Sequence, residues 1–236
     1  MSTTQLVYGV AAAAANLVGA AAVTTRSRWS VTILDRLLAF AAGFLICVAF
    51  LDLVPEALAR GGSGAALTAL VAYLLVHLTQ HIIGRHFHFG EETHAVSRTV
   101  SVSALVGLLL HTFVDGVAVA SGAMVNVEVG AVVFMGVLLH KFPEGLAISS
   151  LFLAAGGTRR MALAAAGALG LATLAGVALT NLVAPLQAHG LAISAGVTIY
   201  VGASNLVPEL QKRPGWANPL SFFLGCGAYF MARAVL

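Results

Sequence analysis

Two histidines and two acids carry most of the chemistry legible in this chain. A ten-residue phrase occurs twice, as Gly107-Leu-Leu-Leu-His111-Thr-Phe-Val-Asp115-Gly116 and as Gly136-Val-Leu-Leu-His140-Lys-Phe-Pro-Glu144-Gly145. Both copies lie in apolar stretches, and on a helix residues four apart share a face. His111 with Asp115, and His140 with Glu144, therefore each present an imidazole and a carboxylate one turn apart. Two such pairs make a mixed nitrogen and oxygen set suited to Zn²⁺ and compatible with Fe²⁺, Mn²⁺, Ni²⁺ or Cd²⁺. Without thiolate the set binds less tightly than a structural zinc site, and its ligands must be deprotonated, which couples binding to proton release. The alternative for the same four residues is a hydrogen-bonded network or a proton relay without metal.

The elements that position these groups are membrane helices. Of 236 residues, 59% are hydrophobic and 9% charged, against about 25% charged in soluble domains. Mean hydropathy is +0.95. Eight apolar segments near the roughly 20-residue spanning length lie at about 5–24, 31–54, 65–84, 99–121, 129–153, 160–183, 189–209 and 217–235. The expected fold is all-α, a single polytopic transmembrane transport domain over 1–236, with the first segment retained as a helix. The net charge of +3 does not imply nucleic-acid binding, because basic residues of membrane proteins gather in cytoplasmic loops. Cys47 and Cys226 lie in apolar segments and imply no disulfide framework.

Nine of the 12 basic residues fall after segments one, three, five and seven: Arg26, Arg28, Arg36, Arg85, Arg98, Arg159, Arg160, Lys212 and Arg213. Arg60 and Arg233 fall on the other side, and Lys141 within a span. By the positive-inside rule both termini lie outside the cytoplasm. Segments four and five then run in opposite directions, so His111 and His140 meet near the midplane. A second duplication, Asp52-Leu-Val-Pro55-Glu56 and Asn205-Leu-Val-Pro208-Glu209, closes segments two and seven. Three helices, a central pair and three more make a 3+2+3 inverted repeat, the architecture alternating-access carriers build around a midplane site.

Around the quartet, Asp52 and Glu56 are candidates for the entrance, and Asn205 and Glu209 for the exit. His77, His81, His86, His88 and His94 crowd the region after segment three. A cytoplasmic His-rich loop at 85–98 reads as low-affinity metal collection at the exit. Each of these groups has a plainer reading as a solvated interfacial residue. Pro143, Pro55 and Pro208 cannot donate a backbone hydrogen bond, so a kink is expected at each.

On His111-Thr-Phe-Val-Asp115-Gly116, His140-Lys-Phe-Pro-Glu144-Gly145 and the Pro-Glu ends at 55–56 and 208–209, the chain resembles the ZIP family of divalent-metal transporters. The resemblance covers essentially the whole chain. It implies zinc as transported substrate, uptake toward the cytoplasm by an elevator-like movement, and residence in a plasma membrane, the inner membrane in a bacterium, often as a homodimer. Many members carry Asn after the first histidine and Asn, Asp or Glu after the second, building a second metal position. Thr112 and Lys141 stand there instead, and an ammonium cannot ligate a metal, so one metal is expected. Two other classes share the donors: an intramembrane zinc hydrolase and a metal sensor without flux. The hydrolase lacks a His-Glu-x-x-His motif and a nucleophile beside a base.

Overall fold

In the computed structural model, residues 1–25, 31–82, 98–208 and 215–236 are described, and helices make up nearly all of them. They are α1 (Thr3–Thr25), α2 (Val31–Val48), α3 (Val54–Ile82), α4 (Arg98–Val125), α5 (Val127–Ala154), α6 (Arg159–Leu182), α7 (Ala184–Ile199) and α8 (Ala217–Val235). Among the described residues five helical stretches are long and apolar enough to cross a membrane, at Thr3–Thr25, Asp35–Thr79, Ser101–Val125, Val127–Ala154 and Arg159–Leu182. Outward-facing Leu67, Leu171 and Phe223 are largely exposed, as side chains solvated by lipid are. The chain is thus an all-helical polytopic membrane protein.

The break between segments two and three falls inside the expected gap at 55–64, but not at its first residue, Pro55. Helix continues through Pro55 and is interrupted at Gly62, where φ is 56° and ψ −144°, a conformation open mainly to glycine. What changes before Pro55 is the winding: Ala49–Leu53 is π-helical, and the Val54 N–H donates to the Ala49 carbonyl five residues back. The same happens before Pro208, where Tyr200–Leu206 is π-helical and the Val207 N–H reaches the Gly202 carbonyl. Proline removes a donor and crowds the preceding turn, and a widened turn accommodates both. Pro143, by contrast, sits inside an uninterrupted α5.

Packing divides the helices into two groups. All pairs among α1, α4, α5 and α6 touch, while α2 packs on α8 and α3 on α7. One apolar cluster lies within the first group, joining Ala20, Leu108, Ile148, Phe152 and Leu169, and one within the second, joining Leu38, Leu45, Val197, Tyr200 and Leu206, while a third joins both groups through Phe44, Ala118, Val132, Leu191 and Tyr229. The groups meet where α2 lies on α5 and α4 on α7. The main pairings have partners under exchange of α1 with α6, α2 with α7, α3 with α8 and α4 with α5: α1 on α5 with α6 on α4, α2 on α8 with α7 on α3, and α2 on α5 with α7 on α4. The exchange extends to atoms. A Cβ on Gly116 of α4 would collide with the Thr173 carbonyl of α6, and one on Gly145 of α5 with the Asn16 carbonyl of α1. These glycines bring the backbones together on either side of the central pair, so the duplication in the sequence has a counterpart in these contacts.

Candidate metal centre

The duplicated phrase converges where the two groups meet. His111 and Asp115 on α4 and His140 and Glu144 on α5 are 3–5% exposed, and each offers a ligand atom within 4.8 Å of the others. Asp115 is the hub, its Oδ2 lying 3.3 Å from His111 Nε2 and 3.2 Å from His140 Nε2. Glu144 Oε2 closes the set at 3.8 Å and 4.0 Å from the same two nitrogens. The imidazoles lie with their ring centres 5.5 Å apart. His140 Nδ1 donates to the Gly136 carbonyl at 2.9 Å, since a carbonyl can only accept. That contact fixes the tautomer with the Nε2 lone pair turned toward the cluster, as outer partners of metal-bound histidines do.

Lys141 is fully buried and bridges the two acids. Its Nζ lies 2.6 Å from Asp115 Oδ2 and 2.9 Å from Glu144 Oε2, and it donates to Thr112 Oγ1 at 3.2 Å. Thr112 in turn donates to Glu144 Oε1 at 2.9 Å. The two residues that depart from the common pattern thus act together on the carboxylates. A buried charge needs partners, and Lys141 finds its partners in the acids of the quartet.

Two cavities flank the cluster and share His111, His140 and Val201 as walls. One extends past Asp115 toward Leu53, Val133 and Thr198, the other past Glu144 toward Leu38, Asn205 and Leu206. The first therefore touches both π-helical segments, through Leu53 and Val201, and the second touches Tyr200–Leu206 alone. Of the expected outer residues, Asn205 lines the second cavity. Asp52 is buried, accepts from the Tyr229 hydroxyl at 2.8 Å, and faces Arg233 at 3.4 Å. Glu56 pairs with Arg60 at 2.6 Å on the helix surface. His77 is exposed and sets its ring edge-on to Tyr200, with centroids 5.8 Å apart. His81 has a helical backbone, but its side chain lies outside the described residues, as do Glu209, His86, His88 and the remainder of the 85–98 loop apart from Arg98. Cys47 and Cys226 are free thiols.

The family model described as ZIP Zinc transporter matches residues 84–233, which include the whole quartet. The chain belongs to the ZIP zinc transporter family. Similar curated proteins include the zinc transporter ZupT of Enterobacter sp. (strain 638), 29% identical over 249 residues that cover 98% of this chain and 95% of that protein. ZupT of Escherichia coli O7:K1 is 28% identical, and that of Shigella dysenteriae serotype 1 is 29% identical, each over 246 residues with the same coverage. This ZIP protein is accordingly a membrane metal transporter and not an enzyme, and the buried His, Asp and Glu cluster fits a metal site.

Proposed function

We propose that this ZIP protein carries Zn²⁺ toward the cytoplasm by alternating access, with the ion held between His111, Asp115, His140 and Glu144. The reading rests above all on one observation: four metal-ligating side chains from the two central helices are buried together, with a cavity on either side. Imidazole and carboxylate donors fit zinc, the metal in the names of the relatives, and a site without thiolate is suited to release. Other divalent ions of similar chemistry are accommodated by the same donors. Two cavities that share the histidines as walls are what a carrier needs in order to offer one site to two sides in turn. The distribution of basic residues supports placing both termini outside the cytoplasm, the Asp115 mouth outward and the Glu144 mouth inward.

The test is zinc flux into proteoliposomes holding the purified protein and a zinc-sensitive dye. Dye signal that rises with protein, saturates with zinc and is absent from protein-free vesicles is the expected result. Zinc binding without flux would instead identify a sensor, and the transport reading would fail.

A further inference from the structure

Three charged residues tie the two helix groups together at one end of the molecule. Arg233, in the last turn of α8, places Nη1 3.2 Å from Glu128 Oε2 and Nη2 3.4 Å from Asp52 Oδ1. Glu128 lies in the first turn of α5, in the group that holds the quartet. Asp52 lies in the π-helical segment after α2, in the other group, with its carboxylate further held by Tyr229. Both ends of Arg233 agree with the helix dipoles, since the guanidinium closes a C-terminus and Glu128 opens an N-terminus. The cavity on the Asp115 side lies between this triad and the quartet, for its walls include Leu53, next to Asp52, and Val133, little more than one turn from Glu128.

The register of the repeat gives the image positions of the triad. Pro55 and Pro208, the two π-flanking prolines, are 153 positions apart. So are Gly43, packed on Phe222, and Gly196, packed on Ala69, and so are Ala69 and Phe222 themselves. The register of the exchange is therefore the same for α2 with α7 and for α3 with α8. His111 and His140 fix the register of α4 with α5 at 29 positions. In these registers the images of Asp52, Arg233 and Glu128 are Asn205, Gln80 and Thr99. The helix pairs concerned, α5 with α8 and α3 with α4, both touch. Every charged member of the triad thus has an uncharged image.

We infer that Asp52, Glu128 and Arg233 form an ionic latch that holds the Asp115-side mouth closed and biases the carrier toward the conformation that opens its site on the Glu144 side. This rests on the alternating-access reading above, because a latch biases only a protein with two mouths to choose between. Arg233 and Glu128 are partly exposed and their pair is weak. The contact of Arg233 with a buried carboxylate adds to it. Breaking the triad is expected to shift the balance of the two conformations by roughly threefold to tenfold.

Two reporters read the shift without using zinc. In a Cys47→Ala, Cys226→Ala background, Val133→Cys reports on the Asp115-side cavity and Leu108→Cys on the Glu144-side cavity. Each is labelled with a membrane-impermeant maleimide in sealed vesicles of either orientation. Arg233→Gln should raise the labelling rate at Val133→Cys by roughly threefold to tenfold and lower it at Leu108→Cys, because the two conformations share one population. Glu128→Gln, a change at an exposed residue that leaves the fold intact, should move both rates the same way by a smaller factor. Rates unchanged in both variants, or rates that rise together at both cavities, would overturn the latch, the second outcome meaning only that packing had loosened. Titration of the wild-type protein with ZnCl₂ separates this from the reading of the quartet: absence of zinc binding would sink that reading, while the labelling rates still decide the latch.

Discussion

Alanine at Asp115 should lower zinc flux by on the order of a hundredfold or more while the protein still inserts and purifies as folded material. Loss of an outer-sphere partner alone typically costs about 10–100-fold in metal affinity or activity, and Asp115 is nearer than that, its Oδ2 lying within 3.3 Å of both imidazole Nε2 atoms. The substitution also releases Lys141 from its shortest contact, at 2.6 Å, leaving the ammonium to Glu144 and Thr112. His111→Ala, His140→Ala and Glu144→Ala should each fall in the same range, because each removes one of four donors and no other His, Cys, Asp or Glu among the described residues joins the group. Initial rates of zinc entering dye-loaded proteoliposomes, normalised to reconstituted protein, are the measurement. Normal rates in any two of the four variants would sink the assignment of the site.

Lys141 carries the second large effect. With both acids ionised and both imidazoles neutral, the two carboxylates and one ammonium leave the site one net negative charge, and a bound dication would invert it to one positive charge. At 4 Å and an effective dielectric near 20, each pair of unit charges interacts by about 4 kcal/mol. A buried ammonium bridging Asp115 and Glu144 therefore opposes zinc directly and competes for its oxygens. Lys141→Met should tighten zinc binding by about 2 kcal/mol, roughly thirtyfold, and slow release by a similar factor. Without zinc the same variant should melt lower, because the carboxylates lose their buried partner. Added zinc should then raise its melting temperature by more than it raises that of the wild type. Lys141→Asp goes further: it should create a second cation position and raise the bound metal from one to about two per chain, read by elemental analysis. Stoichiometry and affinity unchanged in both variants would mean that Lys141 does not stand in for a cation.

Local chemistry made the quartet legible in the sequence. His and an acid four residues apart must share a helix face, and repetition of the phrase in two neighbouring spans implied that the faces meet. The role of Lys141 is half legible: its adjacency to His140 places it near the site, but its pairing with Asp115 and Glu144 depends on helix rotation, which the sequence does not give. The partners of Asp52 are not legible in the sequence. An acid at a helix end reads as a cation collector, yet its partner Tyr229 lies 177 positions away, and nothing local announces Tyr229 or Arg233. Proline at 55 and 208 signalled a disturbed helix without specifying its form. A π-turn keeps the helix running there, and the break itself falls at Gly62, within the expected gap and within a Gly61-Gly62-Ser63-Gly64 run whose freedom makes reversal cheap. The inverted repeat was visible in two short duplications, but its register became firm only through glycine contacts that sequence spacing cannot show.

X-ray absorption at the zinc edge, on purified wild-type protein loaded with one equivalent of metal, tests the central claim most directly. The quartet offers two imidazole nitrogens and two carboxylate oxygens, whereas Cys47 and Cys226 offer sulfur. A first shell of nitrogen and oxygen at about 2.0–2.2 Å with imidazole outer-shell scattering, reduced in His111→Ala and in His140→Ala, is the result expected from this structure. A sulfur shell at about 2.3 Å, or an imidazole signal unchanged by both substitutions, would contradict it.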